Sequence, residues 1–182
     1  ALRGRALVVG LGGGHSTTVL LASPWQQVDV VELEDAVVEA ARMMHERRGK
    51  AFPLDDLSRT RLIIDDARAQ LTLSAASTYD AVVSQPSHPW LAGSSALYTD
   101  EFFREVRRAL RPGGVFALWV NLFRMDVPHL QRVVATLRRV FPHVRGFLAE
   151  SSSLVLCAGV EHAPADGETA RRWTEVERFL RP

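Results

Sequence analysis

The chain has 182 residues, 47% hydrophobic and 24% charged, with a formal net charge of +1. That length supports one substantial core, and the balanced charge gives no strong electrostatic case for nucleic acid or an anionic membrane surface. The single cysteine, Cys157, rules out a disulfide within the chain and fits a reducing compartment.

Strand and helix patterns alternate along the chain, which predicts an α/β sheet with helices on both faces. Residues 6–9 read as a first strand that runs into Gly10-Leu11-Gly12-Gly13-Gly14, followed by a short helix over 16–22. A second strand, 28–31, ends on Glu32-Leu33-Glu34, and Asp35 is the expected N-cap of a helix to about Arg48. A polar loop over 49–58 leads to a third strand, 62–64, which ends on Asp65-Asp66 before a short helix over 67–73. The fourth strand, 81–83, enters a loop over 84–96 that carries two prolines. Thr99 reads as the cap of a helix to about Leu110, and Pro112-Gly113-Gly114 as a turn into a fifth strand, 115–120.

Asp126 and Pro128 open a helix whose apolar stripe is Leu130, Val133, Val134, Leu137 and Phe141. Strands at 144–148 and 154–158 are separated by too few residues for a parallel crossover, so they predict an antiparallel hairpin. The expected domain covers 1–160. Residues 161–182 read as a polar linker and a helix with Trp173, Val176, Phe179 and Leu180 on one face. No apolar run approaches the roughly 18 residues that cross a bilayer, and no signal peptide is visible, so the expected location is cytoplasmic. The start on Ala1, almost directly in a strand, leads us to expect a piece of something longer.

The chemistry should gather beyond the C-terminal strand ends. Gly10, Gly12 and Gly14 let backbone approach a ligand closely. Their G-x-G-x-G spacing is that of S-adenosylmethionine-type sites, whereas the third glycine of a dinucleotide fingerprint would fall at His15. A tight turn without a ligand is the plain alternative. Glu32 is the expected partner of a ribose, with Glu34 solvated. Asp66 suits an exocyclic amine such as adenine N6, or the N-cap of the next helix, or both. The loop Ser84-Gln85-Pro86-Ser87-His88-Pro89-Trp90 should face the reactive end of the ligand, with Trp90 as an apolar wall.

Several segments in order carry a resemblance: 8–14, 30–34, Asp65-Asp66-Ala67, Tyr79-Asp80-Ala81-Val82-Val83, Leu97-Tyr98-Thr99-Asp100-Glu101-Phe102-Phe103, and Leu110-Arg111-Pro112-Gly113-Gly114-Val115-Phe116. With them the chain resembles the catalytic domain of spermidine synthases (polyamine aminopropyltransferases), over Leu7 to about Gly159. The loop 84–90 is especially similar to the bacterial branch fused to a membrane-embedded segment. The resemblance implies a Rossmann-like, seven-stranded class I methyltransferase fold of order 3-2-1-4-5-7-6. It further implies S-adenosylmethionine or its decarboxylated form as co-substrate, with Gly10, Gly12, Gly14, Glu32, Asp66, Ala67 and Ser84 around it. Glu32 would bind the ribose and Asp66 the adenine end. An aminopropyl or methyl group would pass to a small-molecule acceptor such as a polyamine.

Two positions depart from that family. Gln85 and His88 stand where typical members carry aspartates. An amine must lose its proton to attack, and glutamine neither takes a proton nor holds a cationic polyamine by charge. His88 is a candidate substitute base, since imidazoles titrate near neutrality, and a backbone-bonded loop histidine is the plainer reading. His15 and His88 lack metal-ligand spacing, so no metal is expected. The family's N-terminal β-rich segment is expected to lie outside this chain, as is any membrane segment. A catalytically degenerate nucleoside-binding or assembly domain is the alternative from another class, and an NAD-dependent oxidoreductase the third. The sheet edges and amphipathic tail are compatible with a homodimer.

Overall fold

The computed structural model describes residues 3–150 and 152–161. In chain order they form β1 (Arg3–Val9), α1 (His15–Leu21), β2 (Trp25–Glu32), α2 (Asp35–Arg47), β3 (Thr60–Ile64), α3 (Ala67–Leu73) and β4 (Tyr79–Ser84). Then come α4 (Asp100–Ala109), β5 (Leu110–Asn121), α5 (Val127–Val140), β6 (His143–Glu150) and β7 (Ser153–Gly159). Short 3-10 turns lie at Pro53–Asp55 and Ser95–Tyr98.

Strand alternation decides which face each residue joins. In β1, Ala6 and Val8 enter one buried cluster with Val28, Val30 and Ala41, while Leu7 and Val9 enter the other with Val31 and Val82. A strand buried on both faces reads as a continuous apolar run, as residues 6–9 do. Helices α1 and α2 cover the first face, and α3, α4 and α5 the second. On the second face Phe116 packs against Phe102, Phe103 and Phe141, with ring centroids 5.8–6.3 Å apart. Burying each such ring contributes about 2–3 kcal/mol.

The sheet order is β3-β2-β1-β4-β5-β7-β6. Strands β1 to β5 pair in parallel, and β7 runs antiparallel to both β5 and β6. The expected order and C-terminal hairpin are therefore present. Chain order reverses between β1 and β4, which makes the space beyond their C-terminal ends the switch point of the sheet. No helix among the described residues is long and apolar enough to cross a membrane.

Boundaries differ from the sequence expectation in an instructive way. β1, β2 and β3 begin earlier, at Arg3, Trp25 and Thr60, because polar residues ahead of the apolar runs, Arg5, Gln27 and Arg61 among them, already pair in the ladder. An apolar run marks where a strand is buried, not where its hydrogen bonding starts. The expected turn at Pro112-Gly113-Gly114 lies inside β5, accommodated by a register shift against β4 between Tyr79 and Ala81 and a φ of 73° at Gly113. Asp35 is not the cap of α2. Glu34 holds that place in extended conformation without a side-chain bond, and Asp35 sits in the first turn, where the helix dipole favours a carboxylate. The helix expected over 173–180 lies outside the described residues.

Candidate functional site

A cleft of about 370 Å³ opens at the switch point, within the range of small-molecule sites. Its floor and walls include Gly10, Gly12, Glu32, Asp66, Ala67 and Gln85. Six of the ten residues expected from sequence thus meet there. Gly14, Ser84, His88 and Trp90 do not line it.

The glycine turn forms because β1 must end abruptly and aim its backbone at the cleft. Gly10 N–H donates to Val31 O at 2.8 Å, which holds the turn against β2. Gly10 and Gly12 have φ of +82° and +50°, and a Cβ at either would meet nothing within 4 Å. Their lack of a side chain therefore leaves open space over the backbone rather than relieving a clash. Gly14 differs: it caps α1 with φ 75°, and a Cβ there would sit 3.1 Å from Pro53 Cγ and 3.3 Å from His45 Nε2. It is a packing glycine.

Glu32 is 8% exposed and is held by backbone alone. Its Oε2 accepts from Leu11 N–H at 2.8 Å, and its Oε1 accepts from Leu33 N–H at 2.8 Å and Glu34 N–H at 3.2 Å. One carboxylate thereby stitches the glycine turn to the end of β2. A carboxylate has about four lone-pair sites, so roughly one is left for a ligand. Asp66 fulfils its capping role: Oδ1 accepts from Arg68 N–H and Ala69 N–H at 2.8 and 3.1 Å. Its other oxygen takes no part in the cap, and the side chain lies at the cleft wall.

On the opposite side, Gln85 Oε1 accepts a hydrogen bond from Ser16 Oγ at 2.6 Å, which ties the loop after β4 to the start of α1. Tyr98 is buried, and its hydroxyl donates to Ser87 O at 2.7 Å. Burial pushes that phenol well above its ordinary range, so it stays a donor at any working pH. His88 Nε2 lies 3.0 Å from Phe123 O, and its ring packs on Trp90 with centroids 4.5 Å apart. The histidine is thus bonded to backbone away from the cleft, and Trp90 is 50% exposed beside it. Ser84 is fully buried with its hydroxyl unpartnered.

Sequence reasoning missed Ser16 as the partner of Gln85 and Tyr98 as the latch of the loop. Neither has a spacing signature, although Tyr98 lies in one of the segments that carry the resemblance. Val9, Val31, Val37 and Leu97 also line the cleft and supply its apolar surface. Among the described residues no group of three or more His, Cys, Asp or Glu side chains could hold a metal ion.

The family model of the spermine/spermidine synthase domain matches residues 3–150. The chain is 34% identical over 145 residues to a polyamine aminopropyltransferase of Nitrosomonas europaea, covering 79% of this chain and 43% of the relative. It is 29% identical over 142 residues to putrescine N-methyltransferase 4 of Nicotiana tabacum, covering 75% of this chain and 35% of that protein. The chain therefore spans about two-fifths of the length of these relatives. A spermidine synthase solved in complex with the transition state analogue AdoDATO superposes with a TM-score of 0.79 at 17% identity, covering 97% of this chain and 69% of that one. At that identity the superposition speaks for the fold.

Proposed function

Since the chain belongs to the spermine/spermidine synthase domain family, we propose that it binds an S-adenosyl donor in the switch-point cleft and transfers a group from it to a small amine. The decarboxylated donor and aminopropyl transfer are the leading reading, ahead of S-adenosylmethionine and methyl transfer. The observation that carries it is the meeting of Gly10, Gly12, Glu32 and Asp66 with position 85 in one cleft.

The residues present fit such a donor. Open space over Gly10 and Gly12 admits a ligand against backbone, and Glu32 keeps acceptor capacity for one ribose hydroxyl. The uncapped oxygen of Asp66 suits an exocyclic amine, and Val9, Val31 and Val37 suit the faces of a base. The donor supplies a carbon activated by its sulfonium. Gln85, fixed through Ser16, marks the place where an acceptor would stand. Gln85 takes no proton, and His88 is engaged with Phe123 O. The amine would then arrive neutral, its proton lost to water. The chain's contribution is to hold the reactants in line, which can supply much of the rate.

The test is to incubate the chain with putrescine and either donor and to identify the nucleoside released. Methylthioadenosine from the decarboxylated donor is the expected product. S-adenosylhomocysteine from S-adenosylmethionine would replace aminopropyl by methyl transfer. Donor binding without either product would make this a catalytically retired nucleoside-binding domain.

A further inference from the structure

The far end of the sheet, where the parallel strands begin, carries a second hollow of about 400 Å³ lined by Arg5, Gln26, Gln27, Arg61 and Arg111. Every one of these side chains carries N–H donors, and none is a carboxylate. In the β1–β2 and β2–β3 registers Arg5 stands beside Gln27 and Asp29 beside Arg61, so these four share one face.

Two of the arginines are held from behind. Arg5 donates through Nε and Nη2 to Asp29 Oδ2 at 2.9 and 2.6 Å. The Tyr79 hydroxyl donates to the same oxygen at 3.1 Å, and Asp29 is fully buried. Arg111 donates through Nη1 to Asp80 Oδ2 at 2.7 Å and through Nε to Ser77 O at 3.2 Å. Asp80 Oδ2 also accepts from Arg5 N–H at 2.7 Å.

Gly4 makes this packing feasible, because a Cβ there would lie 1.9 Å from Asp80 Oδ2 and 2.9 Å from Arg111 Nη1. Each guanidinium keeps N–H groups beyond those bonds. Arg61 makes no hydrogen bond or ion pair among the described residues. Three guanidiniums against two carboxylates leave one positive charge unmatched at the hollow.

From this geometry we infer a phosphate-binding site at the N-terminal edge of the sheet, for a phosphomonoester or phosphodiester group. Arg61 supplies the unmatched charge. The spare N–H groups of Arg5 and Arg111, with the Gln26 and Gln27 amides, meet the remaining oxygens. Planar guanidinium forks match phosphate geometry, and pre-fixed forks lose little freedom on binding. The group could belong to a soluble phosphoester or to a lipid headgroup, since both present the same oxygens.

The experiment is an amide NMR titration of the full chain with inorganic phosphate, paired with sedimentation on phosphatidylglycerol and phosphatidylcholine vesicles. Arg61→Gln is the variant and Arg132→Gln, on α5, the control. Saturable shifts concentrated at residues 4, 5, 26, 27, 61 and 111 are expected. Arg61→Gln should weaken binding roughly tenfold, with the control unchanged. Response to free phosphate assigns a soluble phosphoester. Binding only to phosphatidylglycerol vesicles, again lost in Arg61→Gln, assigns a headgroup. No saturable response to either probe, or an Arg61→Gln chain that binds like the wild type, overturns the site.

Discussion

The two sides of the cleft are built differently. The side under the glycine turn consists of strand ends, and its carboxylates are bonded to backbone: Glu32 to three N–H groups, Asp66 to two. The side formed by residues 85–97 is a loop that ends in the 3-10 turn at Ser95–Tyr98, held by side-chain links from Ser16, Tyr98, Thr99 and His88. Among the described residues its cleft-lining positions, Gln85 to Ser87, Ala92 to Ser94, Ala96 and Leu97, carry no charge. On the proposed function, a nucleoside half built into the sheet and an acceptor half hung on a loop would be separable. Binding can persist where chemistry has changed, and substitutions should sort by side.

The largest effect belongs to the strand side. Glu32→Ala leaves the Leu11, Leu33 and Glu34 N–H groups without their acceptor, so stability should fall by about 3 kcal/mol in urea denaturation. Donor binding should fall with it. A stable Glu32→Ala chain would show that the carboxylate is not what holds the turn.

On the loop side the expected change is in rate. Gln85→Glu keeps an oxygen for Ser16 and adds a base at the proposed acceptor position. Turnover with an amine should rise on the order of tenfold to a hundredfold, with donor affinity unchanged. Equal turnover in both chains would dissociate position 85 from proton removal.

The antiparallel end of the sheet can be probed through Cys157 on β7. Burial pushes its thiol up to about 11. Its folded pKa is the higher one, so the stabilisation is fully present below about pH 9 and is lost as pH rises through 11. Wild type should lose about 2 kcal/mol over that interval relative to Cys157→Ala. Parallel pH profiles would mean that solvent reaches the thiol.

The smallest effect is that of Tyr98→Phe. Losing the bond to Ser87 O should cost about 1 kcal/mol and loosen the loop, leaving donor affinity alone. Weakened donor binding in this variant would join the two halves into one unit.

The same contrast explains what is legible in the sequence. Gly10, Gly12, Glu32 and Asp66 can be read because a left-handed turn, a strand-end carboxylate and a helix cap each demand a residue type at a fixed place. The sheet order follows from the family resemblance, and the closing hairpin from the short connection between its strands. The Ser16–Gln85 and Tyr98–Ser87 links join residues 69 and 11 positions apart without any periodicity, so they emerge only with the fold. Strand starts escape for a related reason. Arg5, Gln27 and Arg61 pair in the ladder like their apolar neighbours but carry rim side chains, which conceal both the strand ends and the basic hollow that they form.

The most direct test of the account is calorimetric titration of the chain with decarboxylated S-adenosylmethionine, beside a Gly12→Val chain whose side chain would occupy the open space over the turn. Saturable binding to the wild type and at least a tenfold loss in Gly12→Val are expected, with both chains folded. A folded wild-type chain that takes up neither this donor nor S-adenosylmethionine, or a Gly12→Val chain that binds as tightly, would contradict it.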